Sequence, residues 1–387
     1  MKKAVMIGAG QIGRGFIGML VERAGYHVLF ADLQEDLLTE LKTRGQYFVY
    51  TVGEANEQFL VKNISALNVN NPELVEELAE CSLVLSAVGL SALPAIAPIV
   101  AGSISRRKDL GLNAYLNVIA CENAIRASSI LKREVESLLS DDDRKFMDTY
   151  VGFPDCAVDR IIPANTGSSK TDVVVEEYSE WDVEKGGFKG DVPAIDGMTL
   201  VENIDAYNER KLFALNGPNA VTAYYGWLKG YETINEAMGD EEICSEVLGM
   251  MRECSEMLVR RHNFTHELMT NYVKTVVNRF VNPYVIDKCV RVAREPLRKL
   301  SPTDRIIMPL KLLQAYGIPA PHYYKGIASV LLYNNPTDVQ SCKMQQMISE
   351  LGLKEALEKI SGIKAGSEAA AKIEKEYCSL KERLLEK

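Results

Sequence analysis

Gly8, Ala9, Gly10, Gln11, Ile12 and Gly13 form a GxGxxG run between the apolar stretch KAVMI and a segment of helical periodicity. That order sets backbone N–H groups and a helix N-terminus where they can face a pyrophosphate. The first glycine makes the turn, the second lets phosphates approach the backbone, and the third lets helix and strand pack closely. Glycine-rich turns also arise without a ligand, but here Asp32 follows about 20 residues on, ending a second apolar strand. A carboxylate there accepts hydrogen bonds from the adenosine ribose hydroxyls and repels a 2′-phosphate, so the expected cofactor is NAD rather than NADP. Ser86, Ala87, Val88 and Gly89 close a later strand with small residues that suit either packing or a cofactor; Val88 and Gly89 are assigned to the cofactor.

A bound hydride acceptor calls for a base and for groups that hold an alcohol oxygen. The segment ERKLFALNGPN (209–219) offers the most specific set. On an α-helix Lys211 and Asn219 point about 80° apart, and Asn216 about 140° from Lys211, so all three can face one cleft. Pro218 has no N–H to continue the helix, which predicts a break or kink at Gly217. Arg291, Arg294, Arg298, Lys299 and Arg305 stripe an otherwise acidic chain with cations, and arginine forks match the oxygens of a phosphate. A solvated helix face is the plainer reading of any one of them, above all of Arg291. Glu122 is left out of the chemistry because strand neighbours point to opposite faces, and Cys121 reads as a small buried thiol.

Positioning these residues takes a particular order of elements. KAVMI, YHVLFAD, CSLVLSAVG and AYLNVIACEN read as buried strands alternating with helical segments, which implies a parallel sheet covered on both faces, with ligands at the carboxyl ends. The expected fold is an α/β, Rossmann-type doubly wound domain followed by a mostly α-helical domain. Residues 1–193 are assigned to the first, with 150–193 as an edge extension and linker, and 194–387 to the second. Ser82 to Ser105 carries no charge, but Gly89, Pro94 and Pro98 divide it into a strand, a turn and a helix rather than a membrane span.

The 387 residues carry a formal net charge of -9, which repels polyanions and argues against a nucleic-acid or membrane-surface role. Eight cysteines lie scattered without CxxC or CxxH spacing, so neither a zinc site nor a disulfide framework is expected. Arg14 interrupts the apolar amino-terminal run, which does not read as an export signal. Reduced thiols and that reading together point to the cytoplasm.

The stretches GAGQIGRGFIG, ACEN (120–123), VGFPDCAVDRI (151–161), ERKLFALNGPNA (209–220) and REPLRKLSPTDRIIMPL (294–310) occur in an order that resembles the polyol-specific long-chain dehydrogenase/reductases, the mannitol dehydrogenase family. The resemblance implies that Lys211 is the general base and that Asn123 and Asn216 hold the alkoxide or carbonyl oxygen, with no metal required. It places Asn219 where the family has a histidine, and asparagine cannot titrate. Of His27, His262, His266 and His322, only His322 is a candidate substitute. Asp159 and Arg160 match a segment near the site and are expected behind it, while Arg294, Arg298 and Lys299 become the expected ligands of a sugar phosphate. The implied reaction is NAD-dependent interconversion of D-mannitol 1-phosphate and D-fructose 6-phosphate. Reduction of a hexuronate, tagaturonate or fructuronate, is the rival within the family; an NAD-binding regulatory protein without turnover is the rival outside catalysis. A monomer is the default the family implies.

Overall fold

Strand β1 (Lys2–Ile7) sends Ala4 and Met6 into one hydrophobic core and Val5 and Ile7 into another, the two-residue period of a strand buried on both faces. β2 (Tyr26–Asp32) does the same with Val28 and Phe30 against Leu29 and Ala31. The computed structural model describes residues 2–53, 55–162 and 169–385. Between these strands lies a helix that opens as a π-helix, Gly13–Gly18, and continues as α1 (Met19–Arg23).

The first unit continues through α2 (Glu35–Arg44), β3 (Tyr47–Val52), β4 (Gln58–Val61), β5 (Ile64–Asn68), α3 (Glu73–Glu80), β6 (Leu83–Ser86), α4 (Leu93–Asp109), β7 (Leu116–Ala120), α5 (Ala127–Leu138), α6 (Asp141–Tyr150) and β8 (Val151–Gly152). The main sheet is wholly parallel in the order β5-β2-β1-β6-β7-β8. Counting only its own strands, that is the 3-2-1-4-5-6 order of a dinucleotide-binding fold, with its crossover between β1 and β6. The uncharged stretch from Ser82 to Ser105 becomes β6 and α4, and among the described residues no helix is long and apolar enough to cross a membrane.

Residues 150–193 differ from the expected linker. β9 (Cys156–Asp159), β10 (Val173–Glu176) and β11 (Glu180–Glu184) join two small sheets, β10-β3-β4 and, with β12 (Met198–Val201), β12-β11-β9. Trp181 is fully buried there, and burying one large side chain is worth about 1.5–3 kcal/mol. Pairing with β11 ties β12 to the first unit, so the compact units divide later than 193/194, into Met1–Asn208 and Glu209–Lys387.

Past β12 the chain is helical: α7 (Ile204–Lys211), α8 (Gly217–Lys229), α9 (Ile234–Met238), α10 (Glu241–His262), α11 (His266–Phe280), α12 (Cys289–Val292), α13 (Pro296–Lys299), α14 (Ile307–Ala315), α15 (Pro321–Leu332), α16 (Val339–Leu351), α17 (Leu353–Ser361) and α18 (Glu368–Leu385). The longest, α10, starts where the Asp240 carboxylate accepts the N–H groups of Glu242 and Ile243, and stops at Asn263 in the left-handed conformation. One core, including Phe213, Tyr224, Met250, Tyr323 and Leu331, holds this unit together.

Candidate active site

In the first unit, four strand ends carry expected site residues: Gly8 after β1, Asp32 at the end of β2 and Val88 and Gly89 after β6 for the nucleotide, and Asn123 after β7 for the substrate oxygen. All lie on the carboxyl side of the parallel sheet. Gly8 has φ +98°, and a Cβ on it would sit 2.5 Å from the Ala87 carbonyl oxygen, so β1 and β6 can approach only with glycine there. Gly13 packs onto the Gly8 carbonyl with no room for a Cβ. Beside Gly10 no protein atom lies within 4 Å of where a Cβ would be, which leaves the backbone open to a phosphate. Gln11 is exposed, and Ile12 rests half-buried on the core.

Asp32 anchors this loop from the neighbouring strand. Its Oδ2 accepts the Ala9 N–H at 2.7 Å, while Oδ1 accepts the N–H groups of Leu33 and Gln34 at 2.7 and 3.0 Å. From the other side, the buried Arg14 donates through Nε to the Ala9 carbonyl at 2.6 Å and through Nη1 to the carbonyls of Lys170 and Thr171. Arg160, also buried, donates to the carbonyls of Glu176 at 3.0 Å and Gly15 at 3.4 Å and lies over the Phe16 ring. Burial lowers its pKa to about 10. Asp159 is buried at the end of β9.

Glu122, set aside in the sequence, braces the cofactor-side loop. Only 4% exposed, it accepts the Ser86 hydroxyl at 2.8 Å and the Val88 N–H at 3.0 Å on Oε1, and the Gly89 N–H at 2.8 Å on Oε2. Asn123, the next residue, is exposed, in keeping with strand-like alternation. Cys121 is buried, and burial pushes its thiol well above the ordinary range.

In the second unit, the expected break at Gly217 is replaced by continuous helix. A π-helix, Leu212–Asn216, joins α7 to α8, and the Gly217 N–H donates to the Leu212 carbonyl five residues back. Pro218 follows that bond directly and has no N–H to give to the ladder, so the wide turn lies where proline interrupts ordinary helical bonding. The wide turn alters the spacing argument, because residues five apart stack along a π-turn, as Lys211 and Asn216 are. From 208 to 226 every side chain is buried except Lys211, Leu212, Asn216 and Asn219, so the three polar candidates are among the four half-buried side chains of this stretch. The Asn219 Oδ1 is buried with no hydrogen-bond partner. Gly217 lets the turn press against the backbone before α14, since a Cβ on it would lie 2.7 Å from the Arg305 carbonyl oxygen.

The cation stripe is more heavily used than its sequence suggests. Arg291 forks onto Asp287 at 2.7 and 2.5 Å, Arg298 pairs with Glu295 and Asp304 at 2.7 and 3.0 Å, and Arg305 pairs with Asp304 at 2.7 Å. Lys299 is buried, with its amine directed at the carbonyls of Val292, at 2.7 Å, and Arg294 rather than at solvent. Burial, aided by the Arg305 and Arg298 charges, lowers its pKa to about 7. A neutral amine still has two N–H donors for those two carbonyls. Of the three residues expected to hold a phosphate, Arg294 and Arg298 are therefore the exposed ones.

Among the histidines, His322 bonds Glu246 at 2.7 Å, His266 lies 3.9 Å from Glu256, and His27 bonds Asn63 and Ser65. His262 bonds Glu209, two residues before Lys211 and on the same helix, at 2.6 Å.

Residues 2–197 match the mannitol dehydrogenase Rossmann domain, and residues 203–381 match the mannitol dehydrogenase C-terminal domain. The chain belongs to the mannitol dehydrogenase family. A solved family fold, Pseudomonas fluorescens mannitol 2-dehydrogenase in a ternary complex with NAD and D-mannitol, superposes with a TM-score of 0.76 at 19% identity, over 99% of this chain and 92% of that one. A D-sorbitol dehydrogenase in substrate-free form superposes with a TM-score of 0.83 at 16% identity, over 98% and 92%. A 2-dehydropantoate 2-reductase from Geobacter metallireducens reaches 0.52 at 13% identity, over 85% and 98%. At these identities the likeness is one of fold, a parallel Rossmann-like sheet followed by a helical domain.

Proposed function

We propose that this chain is an NAD-dependent polyol dehydrogenase that interconverts D-mannitol 1-phosphate and D-fructose 6-phosphate, a mannitol-1-phosphate 5-dehydrogenase activity. The observation that carries this reading is the set of half-buried Lys211, Asn216 and Asn219 in and beside a π-turn in a chain of the mannitol dehydrogenase family. π-turns occur frequently at functional sites.

In this reading the Lys211 amine takes the proton from the substrate hydroxyl. The Asn216 amide donates to that oxygen as charge gathers on it, and the resemblance to the family gives Asn123 an oxygen-holding role as well. Asn219, at the position of the family histidine, donates or accepts a hydrogen bond without changing charge. Bound NAD supplies the hydride acceptor. The residues present fit that cofactor: the backbone at Gly10 is open to a pyrophosphate, and Asp32, with three N–H groups on about four lone-pair sites, retains one for a ribose hydroxyl. Arg294 and Arg298 would hold the phosphate, as exposed guanidinium groups in a chain of net charge -9.

The test is oxidation of NADH by the purified protein with fructose 6-phosphate, beside fructose, tagaturonate and fructuronate, with NADPH as the cofactor control. Turnover restricted to fructose 6-phosphate and NADH is the expected result. Turnover of a hexuronate would keep Lys211 and reassign the arginines to a carboxylate. NADH binding without turnover of any of them would sink the enzymatic reading.

A further inference from the structure

Lys211 is the third of three consecutive charged residues, and the two before it are fastened into the helical unit. Glu209, 9% exposed, receives two bonds from Arg261 at 2.6 and 3.0 Å and a third from His262 at 2.6 Å. Arg210, 4% exposed, lies over the Tyr272 ring, 4.3 Å from its centroid, and reaches the Phe264 ring at 6.0 Å. All of these contacts come from one corner, where the last turn of α10 passes through Asn263, in the left-handed conformation, into α11.

Successive helical side chains leave the axis about 100° apart, so fixing two neighbours fixes the rotation of the helix and the direction of the third. That hold matters here because the π-turn beginning at Leu212 interrupts the ordinary helical ladder just after the lysine. Glu209 and Lys211, two residues apart, do not face each other. The carboxylate thus serves the clamp rather than the amine.

We infer that Glu209, held by Arg261 and His262, and Arg210, stacked on Tyr272, are positioning residues that aim Lys211 at the substrate oxygen. The inference rests on the reading of Lys211 as the base. The titratable groups facing Glu209 are Arg261, His262 and Cys254 of α10. Burial pushes the Glu209 carboxyl up, but the bonds from His262 and Arg261 outweigh it and hold the group below its ordinary range. Removing its negative charge leaves Arg261 and Arg210, the residue before Lys211, without that carboxylate, which favours the neutral amine.

The experiment compares Glu209→Gln, His262→Gln, Arg261→Lys, Arg261→Ala and Lys211→Ala with the native protein, using mannitol 1-phosphate with NAD and fructose 6-phosphate with NADH. For Glu209→Gln the expected result is a kcat about 10- to 100-fold lower, the loss that follows from a misplaced reacting group, with unchanged NADH binding. Its alkaline-rising kcat profile for alcohol oxidation should also move to lower pH. Arg261→Lys should recover activity relative to Arg261→Ala. If Glu209→Gln does not fold, His262→Gln decides, because Arg261 still holds the carboxylate in that variant. Native kcat and an unmoved pH profile in the folded variants, with Lys211→Ala inactive, would overturn the positioning role alone. Native turnover by Lys211→Ala would overturn the base reading itself.

Discussion

The Glu122 carboxylate accepts the Gly89 N–H at 2.8 Å, with Val88 and Ser86 on its other oxygen, so one buried side chain at the end of β7 shapes the loop after β6. Glu122→Ala leaves two N–H groups and a hydroxyl without their acceptor, at about 1–3 kcal/mol for each group that stays buried. The variant should bind NADH more weakly and melt earlier than native protein. Fluorescence titration and a thermal scan check both; Glu122→Gln, which keeps an acceptor oxygen, should lose less.

Lys211→Ala should lose turnover by about 100-fold or more, the typical contribution of a positioned base, while NADH still binds. Single-turnover kinetics beside a binding titration read this, and high residual activity would remove Lys211 from the proton step.

Arg294 is exposed, and among the described residues its guanidinium makes a single bond, at 3.2 Å, to the Arg291 carbonyl, so removing it disturbs little of the fold. Arg294→Ala should raise KM for fructose 6-phosphate and leave kcat close to native. Equal activity of variant and native protein across substrate concentrations would take Arg294 out of the phosphate site. Arg298→Ala gives a less direct answer, because it also strips Glu295 and Asp304 of a partner.

Gly217→Ala places a methyl group 2.7 Å from the Arg305 carbonyl oxygen, and neither backbone can give way alone. Overpacking of this kind costs about 1–3 kcal/mol. Urea denaturation should show a lowered midpoint at an unchanged slope.

Lys299 carries a pKa lowered from 10.5 to about 7, chiefly by burial. Between those values the unfolded chain binds the proton that the folded chain has released, so this residue makes unfolding free energy rise with pH across the window. The stability of native protein relative to Lys299→Met should therefore grow from pH 7 upward. Denaturation series at several pH values test it, and a constant difference would show that the buried amine keeps its proton.

The main sheet was legible because β1 and β2 alternate their apolar side chains between two cores, and glycines with Asp32 mark the strand ends. Residues 150–193 were not, since short strands such as β10 are defined by a distant partner, β3, and carry no period of their own. In the candidate site, spacing on an ordinary helix suggested that Lys211, Asn216 and Asn219 could face one cleft. The π-turn could not, because a shift from four- to five-residue bonding leaves no mark in residue type. Glu122 and Glu209 were missed for another reason: each is defined by partners on other elements, Ser86 to Gly89 for one, Arg261 and His262 for the other. His322 drew attention as the neighbour of Pro321 and Tyr323, yet it serves α10 and α15, while His262 serves the helix of Lys211.

The wide turn between α7 and α8 amounts to a phase offset between two lengths of ordinary helix. Its five-residue ring absorbs one extra residue without unwinding the helices on either side. Deleting a single residue from 212–216 would let the ladder close in the usual way and leave the lysine four ordinary helical steps from the asparagine beyond it, about 40° out of line. The register of this one turn, more than the identity of the apolar residues in it, is what keeps lysine and asparagine on a common bearing.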